Sequence, residues 1–288
     1  MASRTSMPNP TAQVVAEHPG LVKLGQVGWA AKGVVYTIAG VLAATVVFGS
    51  FGWSTPGSNQ EASPNGAIKT IAGSPGGALL LWVLGLSMLL YAAWRLTSAV
   101  FPGGHDAEAS AKRIGYVVSA VIYTTFAITA ITLARAGAAD SAQGADGNSK
   151  VTNLTGRVMG YGIGRWLIGL IGLIVIAAGI YRLVKGLKQD VEDELDLSGM
   201  SRERVLWTRR LGAIGEVGRG IAIGVIGLFL LRAALDFDAN EATGLDGALR
   251  RLALETWGVL VVAVIAVGFV AYGVFCLATF THRRLQSP

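Results

Sequence analysis

The sequence predicts an all-α membrane protein: six transmembrane helices built as three tandem two-helix repeats, with short amphipathic helices in the outer loops. The first observation is apolar length. Ile114 to Ala134, Gly76 to Trp94 and Thr256 to Thr281 contain no Asp, Glu, Lys or Arg, and a hydrocarbon core about 30 Å thick takes ~20 apolar helical residues to cross. The second is a fixed internal period. Eight residues after Gly28, Gly115 and Gly215 stand Tyr36, Tyr123 and Ile223; eighteen residues after Gly77, Gly164 and Gly258 stand Arg95, Arg182 and Cys276. Recurring landmarks at constant spacing mean one structural unit copied three times. The third is composition: 52% hydrophobic and only 15% charged residues, against roughly 25% charged in soluble domains.

Taken in order, the spans are expected at 28–49, 77–100, 114–135, 164–186, 211–235 and 257–280. Gly33 to Phe48 and Trp166 to Tyr181 are shorter apolar cores whose flanks extend them to spanning length. The fifth block, Gly215 to Leu235, is interrupted by Glu216, Arg219 and Arg232. The repeat decides in its favour. Unbroken apolar runs lack the alternation of barrel strands, so the spans are helical. The domains are repeat 1 at 25–101, repeat 2 at 112–187 and repeat 3 at 209–282, with a disordered cytoplasmic tail at 1–24 and a cytoplasmic linker at 188–208. The tail carries Pro8, Pro10 and Pro19 and no continuous apolar stretch, so no cleavable signal is expected and the first span acts as the insertion signal.

Outer loops repeat as well. Gly66-Ala-Ile-Lys-Thr-Ile leads to Gly77 and Gly247-Ala-Leu-Arg-Arg-Leu leads to Gly258, each over eleven residues. Ile68/Ile71 and Leu249/Leu252 fall at i, i+3, which predicts a short amphipathic helix lying at the surface or dipping into the bundle. The middle unit has Lys150 there and runs longer, through Gly156, Gly160 and Gly164. Residues 52–65 and 136–148 are rich in Gly, Ser, Pro and Asp and read as loose loops. The linker holds an acidic run, Asp190, Glu192, Asp193, Glu194 and Asp196, then a basic run ending in Arg209 and Arg210. It reads as a solvated face whose basic end helps fix topology.

With both termini on one side, that side takes sixteen of the 24 Lys and Arg and the opposite side eight. The positive-inside rule then puts both termini in the cytoplasm. The net charge of +6 is a topology signal; no module for reading nucleic acid accompanies it. The single Cys276 sits inside the last apolar block, which excludes an intramolecular disulfide and a cysteine-based metal site. His18, His105 and His282 lie outside the apolar cores, and no two share a helix at metal or haem spacing. No phosphate-binding loop or nucleophile elbow occurs. No cofactor and no metal are expected.

The candidate polar residues are Lys32, Arg95, Arg182, Glu216 and Arg219, because charge inside a membrane is costly. Lys32 aligns with Arg219, and Arg95 with Arg182; Glu216 and Arg219 are spaced to pair along one helix. One reading makes them a polar pathway or gate. The favoured reading is snorkelling to headgroups, helix-end anchoring or pairing between repeats. Gly160-Tyr161-Gly162 in a loop between spans resembles a potassium filter, but Val158-Met159 precede it and the other units have nothing similar. Glycines number 39, near double the roughly 7% of average usage. Gly156, Gly160 and Gly164, and Gly220 and Gly224, are read as small-residue faces for close helix packing. Seven tryptophans, Trp29 among them, are read mostly as interfacial anchors.

Lys32-Gly33-Val34-Val35-Tyr36, the Gly66-Ala-Ile-Lys and Gly247-Ala-Leu-Arg loop starts, and Tyr91-Ala-Ala-Trp94-Arg95 resemble the bacterial integral membrane proteins called DUF1206. The resemblance covers residues 25 to 282. Unit two departs from it at Ser119, where the basic residue is missing, and unit three at Cys276, where the arginine is replaced. It implies a six-helix, multi-pass protein of the bacterial plasma membrane built from three two-helix modules, with no catalytic residues to carry over. The expected function is a non-enzymatic scaffold or accessory subunit of a membrane complex, partnered by the lipid bilayer and by other membrane subunits or itself. The alternative is a small-solute transporter or channel. A polar cavity at the bilayer midplane would favour transport, and a packed, dry centre the scaffold.

Overall fold

Inside lipid no water is available to backbone N–H and C=O groups, so each apolar block must close its hydrogen bonds within itself. The computed structural model describes residues 19–53, 61–100, 107–140, 147–189, 201–255 and 257–282, and no strand occurs among them. The helices are α1 (Pro19–Ser50), α2 (Pro64–Ala72), α3 (Gly77–Val100), α4 (Ala107–Asp140) and α5 (Gly147–Met159). They continue with α6 (Gly164–Leu187), α7 (Arg202–Asp236), α8 (Leu245–Ala253) and α9 (Gly258–Thr279). Among the described residues five segments are long and apolar enough to cross a membrane: Gly28–Ser50, Arg113–Arg135, and the whole of α6, α7 and α9. In α3 the apolar stretch Gly77–Ala93 is shorter.

Three helices outrun the spans expected from hydropathy. α1 begins at Pro19, α4 at Ala107 and α7 at Arg202, so residues 19–24 and 202–208, read as tail and linker, are helical. Apolarity marks only the stretch lying in hydrocarbon. A helix continues into interfacial water until a cap or breaker ends it. For α7 the Ser201 hydroxyl accepts from the Arg204 N–H at 3.4 Å. The loop expected at 136–148 is likewise shortened, because α4 runs to Asp140 and α5 starts at Gly147. The first 18 residues, the acidic run from Asp190 to Asp196, His105, and residues 54–60 of the first outer loop lie outside the described residues.

The most extensive packing joins α6 to α7, α3 to α4, and α9 to α1. Contacts of α7 with α9 and of α1 with α3 link these pairs into the order α6–α7–α9–α1–α3–α4, and no comparable contact joins α4 to α6 among the described residues. Each of the three leading pairs therefore joins two different units: two with three, one with two, and three with one.

The α6–α7 seam shows how the backbones come so close. Gly172, Gly179 and Gly186 recur every seven residues on α6, facing Ala213, Gly220 and Gly227 at the same interval on α7. A seven-residue interval keeps a contact stripe aligned between two helices. A Cβ at Gly179 would lie 2.8 Å from the Gly220 carbonyl oxygen and from the Gly224 nitrogen; one at Gly220 would lie 2.8 Å from the Gly179 oxygen. Gly224 has no atom within 4 Å of its own Cβ position: it serves as the floor under Gly179. The expected stripe of Gly156, Gly160 and Gly164 does not exist as one face. α5 ends at Met159 and α6 starts at Gly164, which leaves Gly160 in the turn between them.

That turn is repeated three times. Before α3, α6 and α9, the N–H groups of Gly77, Gly164 and Gly258 donate to the carbonyls of Ser74, Tyr161 and Glu255 at 2.8–2.9 Å. A side chain on any of these glycines would collide with the carbonyl six residues earlier, on Ile71, Val158 or Leu252. The turns swing α2, α5 and α8 back against the bundle. Ile68 of α2 and Leu249 of α8 are fully buried, so these amphipathic helices dip into the core. They join Val35, Leu81, Val262 and Ile265 in one packed apolar cluster. Asp246 of α8 ties that helix to the segment leading into α2: its carboxylate accepts from the Ala62 N–H at 2.7 Å and pairs within α8 with Arg250 at 3.0 Å.

Gly179→Leu is expected to destabilise the protein by more than the roughly 1–3 kcal/mol typical of overpacking, because the obstructing atoms are backbone. Gly115→Ala, where a Cβ meets nothing within 4 Å, is the control and should be neutral or stabilising. Thermal unfolding in mild detergent reads both. Equal midpoints for the two variants would remove the seam from the account.

Candidate functional site

Low dielectric makes a buried cation expensive unless it finds charge or aromatic partners. Lys32 of α1 and Arg219 of α7 are 6% and 7% exposed. They occupy a cage of aromatic rings where α1, α3, α4, α7 and α9 meet. The Lys32 ammonium lies 4.7 Å from the centroid of Trp29, 5.1 Å from Tyr272, 5.4 Å from Tyr123 and 6.0 Å from Tyr91. The Arg219 guanidinium lies 4.1 Å from Tyr272 and 5.2 Å from Tyr36. Tyr272 therefore serves both cations. The rings brace one another edge to face, Tyr91 against Tyr123 at 4.8 Å and Tyr36 against Tyr272 at 5.0 Å, a geometry that aligns positive ring edges with negative faces.

Glu216 supplies negative charge to the cluster. One carboxylate oxygen accepts from Arg219 at 2.8 Å, one turn away on α7, and the other accepts from Arg182 of α6 at 2.9 Å. The pairing predicted along α7 is present, and the contact with Arg182 joins the second unit to the third. Arg95 uses its guanidinium differently. It donates twice to the Tyr91 hydroxyl, at 2.6 and 2.9 Å, and lies over Tyr116 of α4 at 5.1 Å. Of the three forms of the favoured reading, Lys32 and Arg219 take pairing between repeats and not snorkelling. Their rings and Glu216 give the charges partners inside the bundle.

Aligned positions explain why these side chains converge. Tyr116 and Glu216 each follow a landmark glycine by one residue, as Trp29 does. Tyr116 receives Arg95, Glu216 receives Arg182, and Trp29 shares a buried cluster with Cys276. In two units the residue after the glycine meets the Arg position of another unit, and in the third it shares a cluster with the Cys position. Tyr91 and Tyr272 are also aligned, fourteen residues after Gly77 and Gly258, with Ala178 as the counterpart in unit two. Reading charges alone missed these tyrosines; the alignment carried the signal. Trp29 was grouped with the interfacial anchors, yet it is 3% exposed and donates its indole N–H to the Thr279 hydroxyl at 3.1 Å. Trp53, Trp166, Trp207 and Trp257 are exposed, as anchors are.

Of the glycine candidates, Gly164 lies in its turn, Gly160 beside it, and Gly220 and Gly224 in the α6–α7 seam. None touches the cage rings. Among the described residues, no three His, Cys, Asp or Glu stand together as metal ligands would.

Comparison with known proteins agrees with the repeated geometry. The family model described as Domain of Unknown Function (DUF1206) matches three successive stretches, residues 27–101, 114–189 and 214–279. A curated relative, "Uncharacterized protein YxxB" of Bacillus subtilis (strain 168), is 30% identical over 270 residues, covering 93% of each chain. No solved structure matches the chain.

Truncating Glu216 leaves Arg219 buried beside an emptied partner site, and breaking a buried pair in this way costs roughly 3–5 kcal/mol. Glu216→Ala is expected to lower the unfolding midpoint far more than Arg182→Ala, because Arg182 is 34% exposed and can turn to water. Circular dichroism melts in detergent compare the two. A loss at Arg182 equal to that at Glu216 would show that the carboxylate is not the shared anchor.

Proposed function

The chain belongs to the DUF1206 family of domains of unknown function, and on that footing we propose that it is a non-enzymatic membrane scaffold or accessory subunit, built from three two-helix repeats that cross the bilayer six times. The observation that supports this reading most is the filled centre. Val35, Ile68, Leu81, Leu249, Val262 and Ile265 are each less than 2% exposed and pack as one cluster between the outer turns and the cation cage. A pore needs a polar lining or a hydrophobic constriction that can wet. Here two short helices are docked into that path from the outer end. The cage is then a structural lock: four cations, one carboxylate and six aromatic rings, Tyr116 beneath Arg95 included, hold helices from all three units in register.

The sixth span in this reading is α3, whose apolar stretch Gly77–Ala93 is extended by the rest of the helix to Val100. An even number of spans leaves both ends on one side, and the distribution of basic residues makes that side the cytoplasm of a bacterial plasma membrane. A transport role is favoured by one feature, the half-exposed Arg182 on α6, a helix that makes no extensive contact with α4 among the described residues.

Two experiments test the reading. Gentle detergent extraction from the native membrane, with native mass spectrometry of co-migrating chains, is expected to find a stoichiometric membrane partner. A lone monomer together with solute flux in liposomes that is lost in Arg95→Gln and Arg182→Gln would replace the scaffold with a transporter. The span count is checked by single-cysteine reporters in a Cys276→Ser background. Ala2→Cys, Ser198→Cys and Ser287→Cys should react from one side of sealed vesicles, and Ser58→Cys and Ser141→Cys from the other. Opposite labelling of the two ends would refute six spans.

A further inference from the structure

α6, α7 and α9 border an open groove of about 450 Å³, within the size range of ligand clefts. Leu187, Ala213, Ile214, Val217, Val264 and Val267 line it, and its lining is almost wholly apolar. The close α6–α7 seam produces it: Gly186 packs directly on Ala213 and Val217, so the floor is backbone and small side chains. On α9 the groove reaches up to Ala263, and at its other end it meets Leu187 and Gln189, where α6 stops. It therefore runs from one membrane interface towards the middle of the bilayer, along a surface bathed by hydrocarbon.

The interfacial end is basic. Lys188, between two lining residues, is exposed at the α6 C-cap. Arg210 is exposed one helical turn before Ala213 and Ile214, on the same face of α7. Its guanidinium lies 5.8 Å from the ring of Trp207, which is 56% exposed, the placement of an interfacial aromatic. An apolar trough with two exposed cations next to its lining residues at the interfacial end matches one ligand chemistry, a chain-bearing anion, and basic sites between helices bind anionic lipid headgroups.

We infer that this groove is a binding site for one anionic glycerophospholipid, an acyl chain lying along α7 and the headgroup phosphate held between Lys188 and Arg210. The site rests on membrane embedding alone and holds whether the protein serves a partner or a solute. Co-purification tests that role; lipid retention tests this one, so either can fail separately.

The experiment uses the full-length protein in detergent, titrated with phosphatidylglycerol or with phosphatidylcholine of the same acyl chains. Native mass spectrometry counts retained lipid and thermal unfolding reads stabilisation. The wild type is expected to hold one phosphatidylglycerol roughly tenfold or more tightly than phosphatidylcholine, since each basic residue near a headgroup contributes of order 1 kcal/mol. The surface substitutions Lys188→Gln with Arg210→Gln should abolish that preference while leaving the unfolding midpoint of lipid-free protein unchanged. Val264→Trp, which fills the groove from a position already 40% exposed, should lower retention of both lipids. Equal retention of the two lipids by the wild type, or an unchanged preference after both cations are removed, overturns the site. So does a wild type that retains no lipid because a co-purifying chain, lost in Val264→Trp, occupies the groove.

Discussion

Direct contact between helix backbones is the constraint on which this structure depends. Lipid tails are as apolar as leucine, so burying a side chain between two helices gains little over leaving it in the bilayer. What remains is dispersion at short range and polar contact in low dielectric. Glycine supplies the first by letting backbones touch, and the second follows from the distance this sets. Gly179 lies one turn from Arg182, and Gly220 one turn from Glu216; because the two glycines meet, the two charged groups meet at 2.9 Å. Gly215 and Gly33 play the same part on either side of α9. A Cβ at Gly215 would strike Tyr272, and one at Gly33 would lie 2.9 Å from the Gly273 carbonyl oxygen. Bulk at these points would pull the shared ring away from Arg219 or Lys32.

The cage balances charge with two different partners. Glu216 neutralises charge through short hydrogen bonds to two arginines from two units. The rings offer their negative faces to Lys32, Arg219 and Arg95, an attraction worth about 2 kcal/mol or more when water is excluded. Neither alone suits a protein interior. A lone carboxylate between cations would leave the ammonium of Lys32 unshielded, and rings alone would leave the guanidiniums' donors unmet. Together they give five charged side chains partners among the helices. The cost of removing a buried member such as Glu216 is the reason for reading the cluster as a lock.

The repeats are not equivalent in what they bring. Units one and three contribute the buried cations and three of the five cage tyrosines, whereas unit two offers Ser119 and Ala178 at the aligned positions and adds Tyr116 and Tyr123. The packing follows this inequality. α4 and α6, the two long helices of unit two, stand at opposite ends of the helix order, and their outer faces are among the most exposed apolar surfaces of the molecule, with Ile114 at 67% and Trp166 at 75%. Such surface would be a liability in water and is ordinary in lipid.

Membrane embedding, helical class and the threefold period were legible in the sequence, because each is a one-dimensional property: a run of apolar residues, the absence of alternation, a constant spacing. So were the Glu216–Arg219 pair, set by the helical turn, and the amphipathic outer helices, set by the i, i+3 spacing of Ile68 with Ile71 and of Leu249 with Leu252. Long-range neighbours were not legible. Lys32, Arg95 and Arg182 looked alike as basic residues near helix ends, yet one is caged, one sits on tyrosines and one reaches another unit's carboxylate. Helix ends were misplaced because hydropathy reports where lipid stops, whereas a helix stops at a cap. The glycines at 156, 160 and 164 had the right spacing for a face, and a turn between helices divided them. Tertiary structure alone decided that the closest helix pairs join different units, since that choice rests on which backbones can touch, and touching is a property of two surfaces at once.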